Sequence, residues 1–288
     1  MPKLYIGVDI GGTKIKAALL NSQFKIKKSI VFLTEANKGK KQVLANITKS
    51  IQEVWDKSVD AIGIGFPGPV DSEKGVVIYG PNLPGWENVK LKALIEKEFK
   101  KKVFIDNDAN CFTLAESKLG AGKKYKSMVG LIVGTGLGSG VVLDNELYTG
   151  ASGAAGEVGL IPFKGITLEE FAAGPALKRL STYQGLTMSP IKLAEMAKRN
   201  KGFAKNVFKE YGINLGIALS VIANTIDPEL IVLGGSVSKS YQYFKQTMMM
   251  SLKKHIFPKT AKTLKVQKGK LTDASVIGAA MIAMPKKK

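Results

Sequence analysis

The sequence predicts an α/β protein built as two lobes, and three observations carry that expectation. Leu4 to Leu20 (LYIGVDIGGTKIKAALL) reads as two apolar strands joined by a tight turn at Gly11-Gly12. Met128 to Leu143 (MVGLIVGTGLGSGVVL) repeats the pattern in the other half, with Thr135 in its glycine turn. The length, 288 residues, suits two modest lobes better than one.

Taken in order, the first hairpin is followed by KKSIVF (27–32), a third strand. Val43, Ile47, Ile51 and Val54 then recur at helical spacing across Gln42 to Lys57. VDAIGIGF (59–66) reads as a buried strand that Pro67-Gly68-Pro69 ends at a rigid corner. Hairpins followed by helix and strand indicate a mixed sheet. The loop YGPNLPGWENV (79–89) is fixed by two prolines and two glycines. Leu91 to Lys100 is a helix, KKVFID a short strand, and Ala109 to Leu119 a helix. GAGKKYKS (120–127), glycine-rich and charged, reads as a linker, which places the first lobe at 1–119 and the second at 120–272. In the second lobe helices are expected over 168–180 and 190–226, and Glu229 to Leu233 is a strand opening on Gly234-Gly235 before a helix near Ser238. TLKVQ (263–267) is a last strand, and the small-residue helix 273–284 is expected to pack back on the first lobe, leaving the tail PKKK to fray.

Composition bounds the chemistry. With 45% hydrophobic and 23% charged residues the chain is that of a soluble globular protein, expected in the cytoplasm because no signal peptide or membrane-length apolar run is present. The single cysteine, Cys111, excludes an internal disulfide and any multi-cysteine zinc site. The single histidine, His255, closes a lysine-rich helical stretch and reads as a surface residue at a helix end. A formal charge of +20 raises nucleic acid, polyanionic substrates and acidic membranes as partners. Yet only Arg179 and Arg199 are arginines, and the excess is lysine scattered on polar faces, so neither nucleic acid nor membrane is expected as a partner.

Several residues admit both a structural and a chemical reading. The Gly11-Gly12 turn is an ordinary hairpin turn, or a phosphate cradle in which backbone N–H groups, Thr13 and Lys14 are donors and Asp9 holds magnesium through water. Asn82 and Trp86 suit a sugar ring, or the Trp packs and the loop is structural. Asp108 is a helix cap, a general base at a strand's C-terminal end, or both. Glu157 stands in a run of small residues that cannot shield it, where a hydrogen-bonding partner is plausible. The helix dipole alone accounts for Glu169 and Glu170. The Gly234-Gly235 turn is common in α/β proteins and is also where backbone lies against an adenosine.

The ordered set DIGGTK, GIGFPGP, PNLPGW, NDAN, GTGLGSG, GASGAAGEVG and VLGG resembles the ROK family of sugar kinases, its glucokinase branch most closely, over residues 4 to 283. The resemblance implies an actin- and hexokinase-like fold, two lobes with ribonuclease-H-like sheets around a central cleft. It implies a homodimer that uses ATP and Mg²⁺ to phosphorylate a hexose, glucose first, at the 6-hydroxyl. Position by position it implies that Asp9, Gly11, Gly12, Thr13 and Lys14 form the first phosphate and magnesium segment, and Gly134, Thr135 and Gly136 the second. Gly234 and Gly235 become the adenosine turn, Asn107 a sugar contact and Asp108 the catalytic base. Asn82, Glu157 and Glu169 become ligands of sugar hydroxyls, with Gly68 in the sugar-site loop. Two departures stand out. Leu160 replaces the family's usual histidine, and only IPFKGITL separates it from Glu169 where the family has a cysteine-rich zinc loop, so no structural zinc is expected and hexose selectivity is left open. Three rivals remain: a polyphosphate-dependent kinase suggested by the charge, a sugar-binding protein without catalysis, and a transcriptional regulator. The last is disfavoured because the first core strand begins by Leu4, leaving no room for a helix-turn-helix.

Overall fold

The computed structural model describes residues 3–284; the tail 285–288, expected to fray, lies outside the described residues. The chain divides into two units. One comprises Met1–Gly120, Leu147–Ala155 and Leu271–Lys288, the other Ala121–Glu146 and Gly156–Lys270.

The first unit runs β1 (Leu4–Ile10), β2 (Lys14–Asn21), β3 (Ile26–Leu33), α1 (Lys40–Glu53), β4 (Val59–Phe66), β5 (Val70–Asp71), β6 (Val76–Tyr79), β7 (Glu87–Val89), α2 (Leu91–Phe99), β8 (Lys102–Asn107) and α3 (Asp108–Leu119). Its main sheet has the order β3-β2-β1-β4-β8, antiparallel through the hairpins and parallel across β1, β4 and β8. Alternation sorts the two faces. Ile6, Val8 and Ile10 of β1 share a core with Val43, Ile47 and Ile51 of α1, each such buried side chain contributing roughly 2 kcal/mol. Gly7 and Gly63 face the C-terminal helix Ala274–Ile282, which the sequence reading brings back to this lobe and which packs on β1, β4 and α3. A methyl group on Gly63 would lie 1.6 Å from the Ala279 carbonyl oxygen, and one on Gly278 would lie 1.8 Å from that of Cys111. Only glycine lets these backbones approach so closely.

The second unit runs β9 (Met128–Val133), β10 (Leu137–Leu143), β11 (Glu146–Tyr148, through which the chain leaves the unit), β12 (Pro162–Phe163), β13 (Ile166–Thr167), α4 (Leu168–Ala172), α5 (Gly174–Tyr183), α6 (Pro190–Lys198), α7 (Gly202–Ile226), β14 (Leu230–Gly234), α8 (Tyr241–Lys254), α9 (Pro258–Thr263) and β15 (Lys265–Lys268). Its sheet has the order β11-β10-β9-β14-β15. Tyr211, Phe208 and Phe244 are among its largest fully buried side chains.

The structure refines the expected elements where proline and glycine intervene. The helix expected over 168–180 is two helices, broken at extended Ala173, because Pro175 has no N–H to continue the helical ladder and its ring would clash with the Phe171 carbonyl; it stands instead in the first turn of α5, where no intrahelical donor is needed. The helical run 190–226 is likewise broken near Asn200, whose φ is +62°. A short hairpin, β12 to β13, turns through Lys164 and Gly165 at φ values of +51° and +81°, a primed turn that the sequence reading left out. Among the described residues no helix is long and apolar enough to cross a membrane.

Candidate active site

In the first unit the candidates gather at the C-terminal ends of the parallel strands. Cross-strand register aligns Asp9 of β1 with Gly65 of β4, and Gly65 with Asp106 of β8, so both carboxylates lie in one row on one face. Gly65 leaves space that α3 occupies: a methyl there would touch Cys111 Sγ at 3.4 Å and the Asp108 Cα at 3.5 Å. Burial, reinforced by the charges of Asp106, Asp9 and Asp108, pushes the Cys111 thiol far up, which makes it inert at neutral pH.

Asp9 is half-buried, and desolvation lifts its carboxyl to about 6, opposed by Lys16 and assisted by Asp273. Lys16 pairs with Asp9 across the hairpin and forms an ion pair with Asp273 at 2.5 Å. The turn itself is closed by Gly11 N–H donating to the Lys14 carbonyl (2.9 Å), while buried Thr34 donates its hydroxyl to the Gly11 carbonyl (2.6 Å). Thr13 and Lys14 are exposed beyond it. Asn82 lies beside this turn, its Cβ 3.3 Å from where a Gly12 methyl would stand.

At the β8–α3 junction the expected division of labour changes. Asn107, not Asp108, caps α3: its side-chain oxygen accepts from Ala109 N–H (2.8 Å) and Asn110 N–H (3.3 Å). Its amide nitrogen donates to the Gly68 carbonyl (3.1 Å), which leaves one amide hydrogen for any substrate. Asp108 is the first helical residue, half-buried, with Oδ1 accepting from Ala109 N–H at 2.8 Å. Gly68, at φ +123°, abuts the Tyr79 carbonyl, so the loops bearing Gly68 and Asn82 are packed together. Trp86 is only 1% exposed and packs on Phe66 with ring centroids 5.2 Å apart. It belongs to the core, which decides the sequence alternative for this loop: Asn82 faces out and the indole does not.

Asp106 is a residue that the sequence reading passed over. It is buried, accepts from Asn107 N–H (2.7 Å), Asn110 Nδ2 (2.8 Å) and the Ser72 hydroxyl, and burial holds its carboxyl above the usual range. An acid ending an apolar strand just before Asn-Asp was the available signal. Lys16, a charge inside an apolar hairpin strand, was another.

In the second unit the glycine turns converge. β9 and β14 are parallel neighbours, with Gly234 paired to Ile132, so the Gly134–Gly136 turn and the Gly235–Ser236 turn leave the same sheet edge. Gly134 stands 3.8 Å, measured from a methyl position, from Ser236 Oγ. Gly235 has φ +80°, and a methyl there would lie 2.3 Å from the Val133 carbonyl oxygen. The N-terminus of α5 meets the same turn, Gly174 N–H donating to the Gly134 carbonyl at 2.8 Å. Thr135 is exposed at the tip.

The two glutamates of α4 separate cleanly. Glu170 closes a capping box with Thr167 (2.9 and 3.2 Å), whereas Glu169 Oε2 accepts from Leu137 N–H at 2.9 Å. Glu157 is solvent-accessible, and partial burial together with the Glu169 charge holds its carboxyl above the usual range. Leu160, 69% exposed, projects into solvent. Phe163 and Phe171 pack ring to ring at 4.7 Å across the short hairpin that follows. Among the described residues no group of three or more His, Cys, Asp or Glu side chains is placed to hold a metal ion.

Strand-end carboxylates in one unit and converging glycine turns in the other define an α/β protein of hexokinase-like fold. Residues 5–286 match the ROK family, and the chain belongs to that family. It is 33% identical to the glucokinase of Thermotoga maritima, with 98% of each chain covered. It is 30% identical to a xylose repressor of Caldicellulosiruptor bescii, over 94% of this chain and 75% of the repressor. A ROK family glucokinase from Streptomyces griseus, solved in complex with glucose and AMPPNP, superposes with a TM-score of 0.87 at 27% identity, covering 97% of this chain and 99% of that one.

Proposed function

We propose that the protein phosphorylates a hexose at its 6-hydroxyl with ATP, glucose being the first candidate. The observation that carries this reading is Asp108 at the first position of α3, where a half-buried carboxylate stands at the end of a parallel strand beside the Asp9–Gly65–Asp106 row. The sugar kinases among the relatives support it, and the glucose and AMPPNP of the S. griseus complex support that acceptor and that donor.

Phosphoryl transfer has a loose transition state, so the protein chiefly aligns the alcohol with the γ-phosphorus and neutralises its oxygens. In this reading the sugar oxygen bonds to the γ-phosphorus as the bond to the β-phosphate oxygen breaks. Asp108 takes the hydroxyl proton and returns it to solvent. Asn82, Glu157, Glu169 and the remaining amide hydrogen of Asn107 select the hydroxyl presented, and the Gly68 loop supports Asn107. The Gly11–Lys14 and Gly134–Gly136 turns offer N–H and side-chain donors to phosphate, and Gly234-Gly235 a flat backbone to adenosine.

Asp9 fits a magnesium site: it is a carboxylate at a strand end whose raised pKa means that a nearby cation would be favoured. It would hold Mg²⁺ through water, and the ion when bound supplies charge neutralisation at the phosphate oxygens.

The test is Asp108→Asn. Turnover, measured as hexose-dependent ADP release, is expected to fall roughly 10²–10⁴-fold, with glucose binding by calorimetry retained. Near wild-type turnover would remove Asp108 as the base.

A further inference from the structure

Glu169 reaches the second glycine turn as well as the face where a sugar ligand is proposed. Its Oε2 accepts the Leu137 N–H at 2.9 Å, at the residue where the turn re-enters β10. The fit is close on both sides. A methyl on Gly136 would lie 2.6 Å from Oε2, and one on Gly159 would lie 2.6 Å from the Leu137 carbonyl oxygen and 3.5 Å from the Glu169 Cβ. The residue is nonetheless exposed, and Oε1 accepts no hydrogen bond among the described residues. The helix that carries it is held at both ends, by the Thr167–Glu170 capping box and by the Tyr211 hydroxyl donating to the Ala172 carbonyl at 2.7 Å.

We infer that Glu169 is a positioning residue for the nucleotide turn, its Oε2 fixing the Gly134–Gly136 bend while Oε1 is left for a sugar hydroxyl, so that one carboxylate ties the two substrates together. This rests on the kinase reading above and adds to it. A carboxylate that only bound sugar would leave nucleotide affinity unchanged when no sugar is present. One that also fixes the turn sets the geometry of the Gly134, Thr135 and Gly136 donors before sugar arrives. Sugar and nucleotide binding are then linked through a shared group, and the linkage is reciprocal.

Calorimetric binding of Mg–AMPPNP, with no hexose present, decides the matter. Glu169→Ala is expected to weaken it roughly tenfold, the worth of one charge-assisted hydrogen bond to backbone. Glu169→Gln keeps an acceptor oxygen for Leu137 N–H and is expected to bind Mg–AMPPNP within about twofold of wild type while its KM for hexose rises. Should Glu169→Ala fail to fold, Glu169→Asp retains the charge on α4 and withdraws the oxygen by one methylene, and the same loss is expected. Wild-type nucleotide affinity in Glu169→Ala or Glu169→Asp overturns the inference and leaves the kinase reading intact. A wild-type protein that binds no Mg–AMPPNP overturns both.

Discussion

The turn at Gly11-Gly12 and the turn at Gly134–Gly136 are built on the same strand–glycine–strand plan, but their surroundings differ. Around the first lie acids and a cation: Asp9 and Lys16 on the hairpin itself, Asp273 on the returning C-terminal segment, and Asp106 two strands away. Around the second lie backbone and small residues: the Gly235 turn, the start of α5 at Gly174, and a single carboxylate from Glu169. In the proposed reading the acids around the first turn serve proton transfer and a metal ion, and the backbone around the second serves phosphate and adenosine. The difference comes from Asp9 and Lys16 on the first hairpin itself and from what packs beside each turn: β8 and the C-terminal segment in one case, the end of β14 with α4 and α5 in the other.

Asp9 tests the first half of this contrast most strongly. Asp9→Asn is expected to lower turnover about a hundredfold, as loss of a metal-positioning carboxylate would. Its effect on stability has the opposite sign. Burial raises the Asp9 pKa from 3.8 to about 6, so in the metal-free protein the ionised form is penalised. That penalty is full above about pH 6 and gone below the unfolded value of 3.8. Asn should therefore stabilise the metal-free fold at pH 7–8 by up to about 3 kcal/mol, and the gain should vanish near pH 4. Urea unfolding across pH measures it. A destabilised Asp9→Asn protein at pH 8 would mean that the carboxylate is satisfied where it stands.

Gly235→Val tests the second half. The left-handed backbone and the Val133 carbonyl leave no space for a side chain, so a stability loss of about 1–3 kcal/mol is expected, with a raised KM for ATP and little change in KM for hexose. A change confined to the hexose would break the assignment of this unit to the nucleotide.

Trp86→Phe sharpens the contrast within the first unit. Because the indole is buried on Phe66 and its Nε1 has no hydrogen-bond partner among the described residues, the smaller ring should cost about 1 kcal/mol and leave the hexose KM unchanged. A tenfold rise in that KM would return Trp86 to the sugar face. Thr167→Ala should touch stability alone, by about 1 kcal/mol from the lost cap, measured by denaturant unfolding, with kinetics unaltered.

Much of this was legible in the chain. Continuous apolar runs ended by glycine turns or proline located β1, β2, β4, β9 and β10, because those strands are buried on both faces, and helical periodicity located α1, whose buried residues recur every four positions. The family resemblance is carried by short glycine and acid motifs, and these sit at strand ends. What sequence hid was partnership. Asn107 takes the cap expected of Asp108, because in extended backbone its oxygen reaches the Ala109 and Asn110 N–H groups while Asp108 already has helical geometry. Glu169 and Glu170 are equivalent as acids in a first turn, and only the fold shows that one caps its own helix and the other holds a strand. Trp86 in its proline–glycine loop reads equally as a sugar platform or as a packed side chain, and the fold turns it inward on Phe66. The break at Ala173 was readable from Pro175, whereas Asp106 needed its parallel neighbour to show its place beside Asp9.

The central claim is that carboxylates at the ends of β1 and β8 and glycine turns on β9 and β14 serve a single reaction, phosphoryl transfer from ATP to a hexose. The most direct measurement is ADP release with Mg–ATP across a panel of glucose, mannose, fructose and N-acetylhexosamines, with product phosphorylation read by mass spectrometry. ADP release that requires a hexose, with the 6-phosphate as product and glucose among the best acceptors, is the expected result. No hexose-dependent ADP release from a folded protein, or turnover with polyphosphate alone, would contradict it.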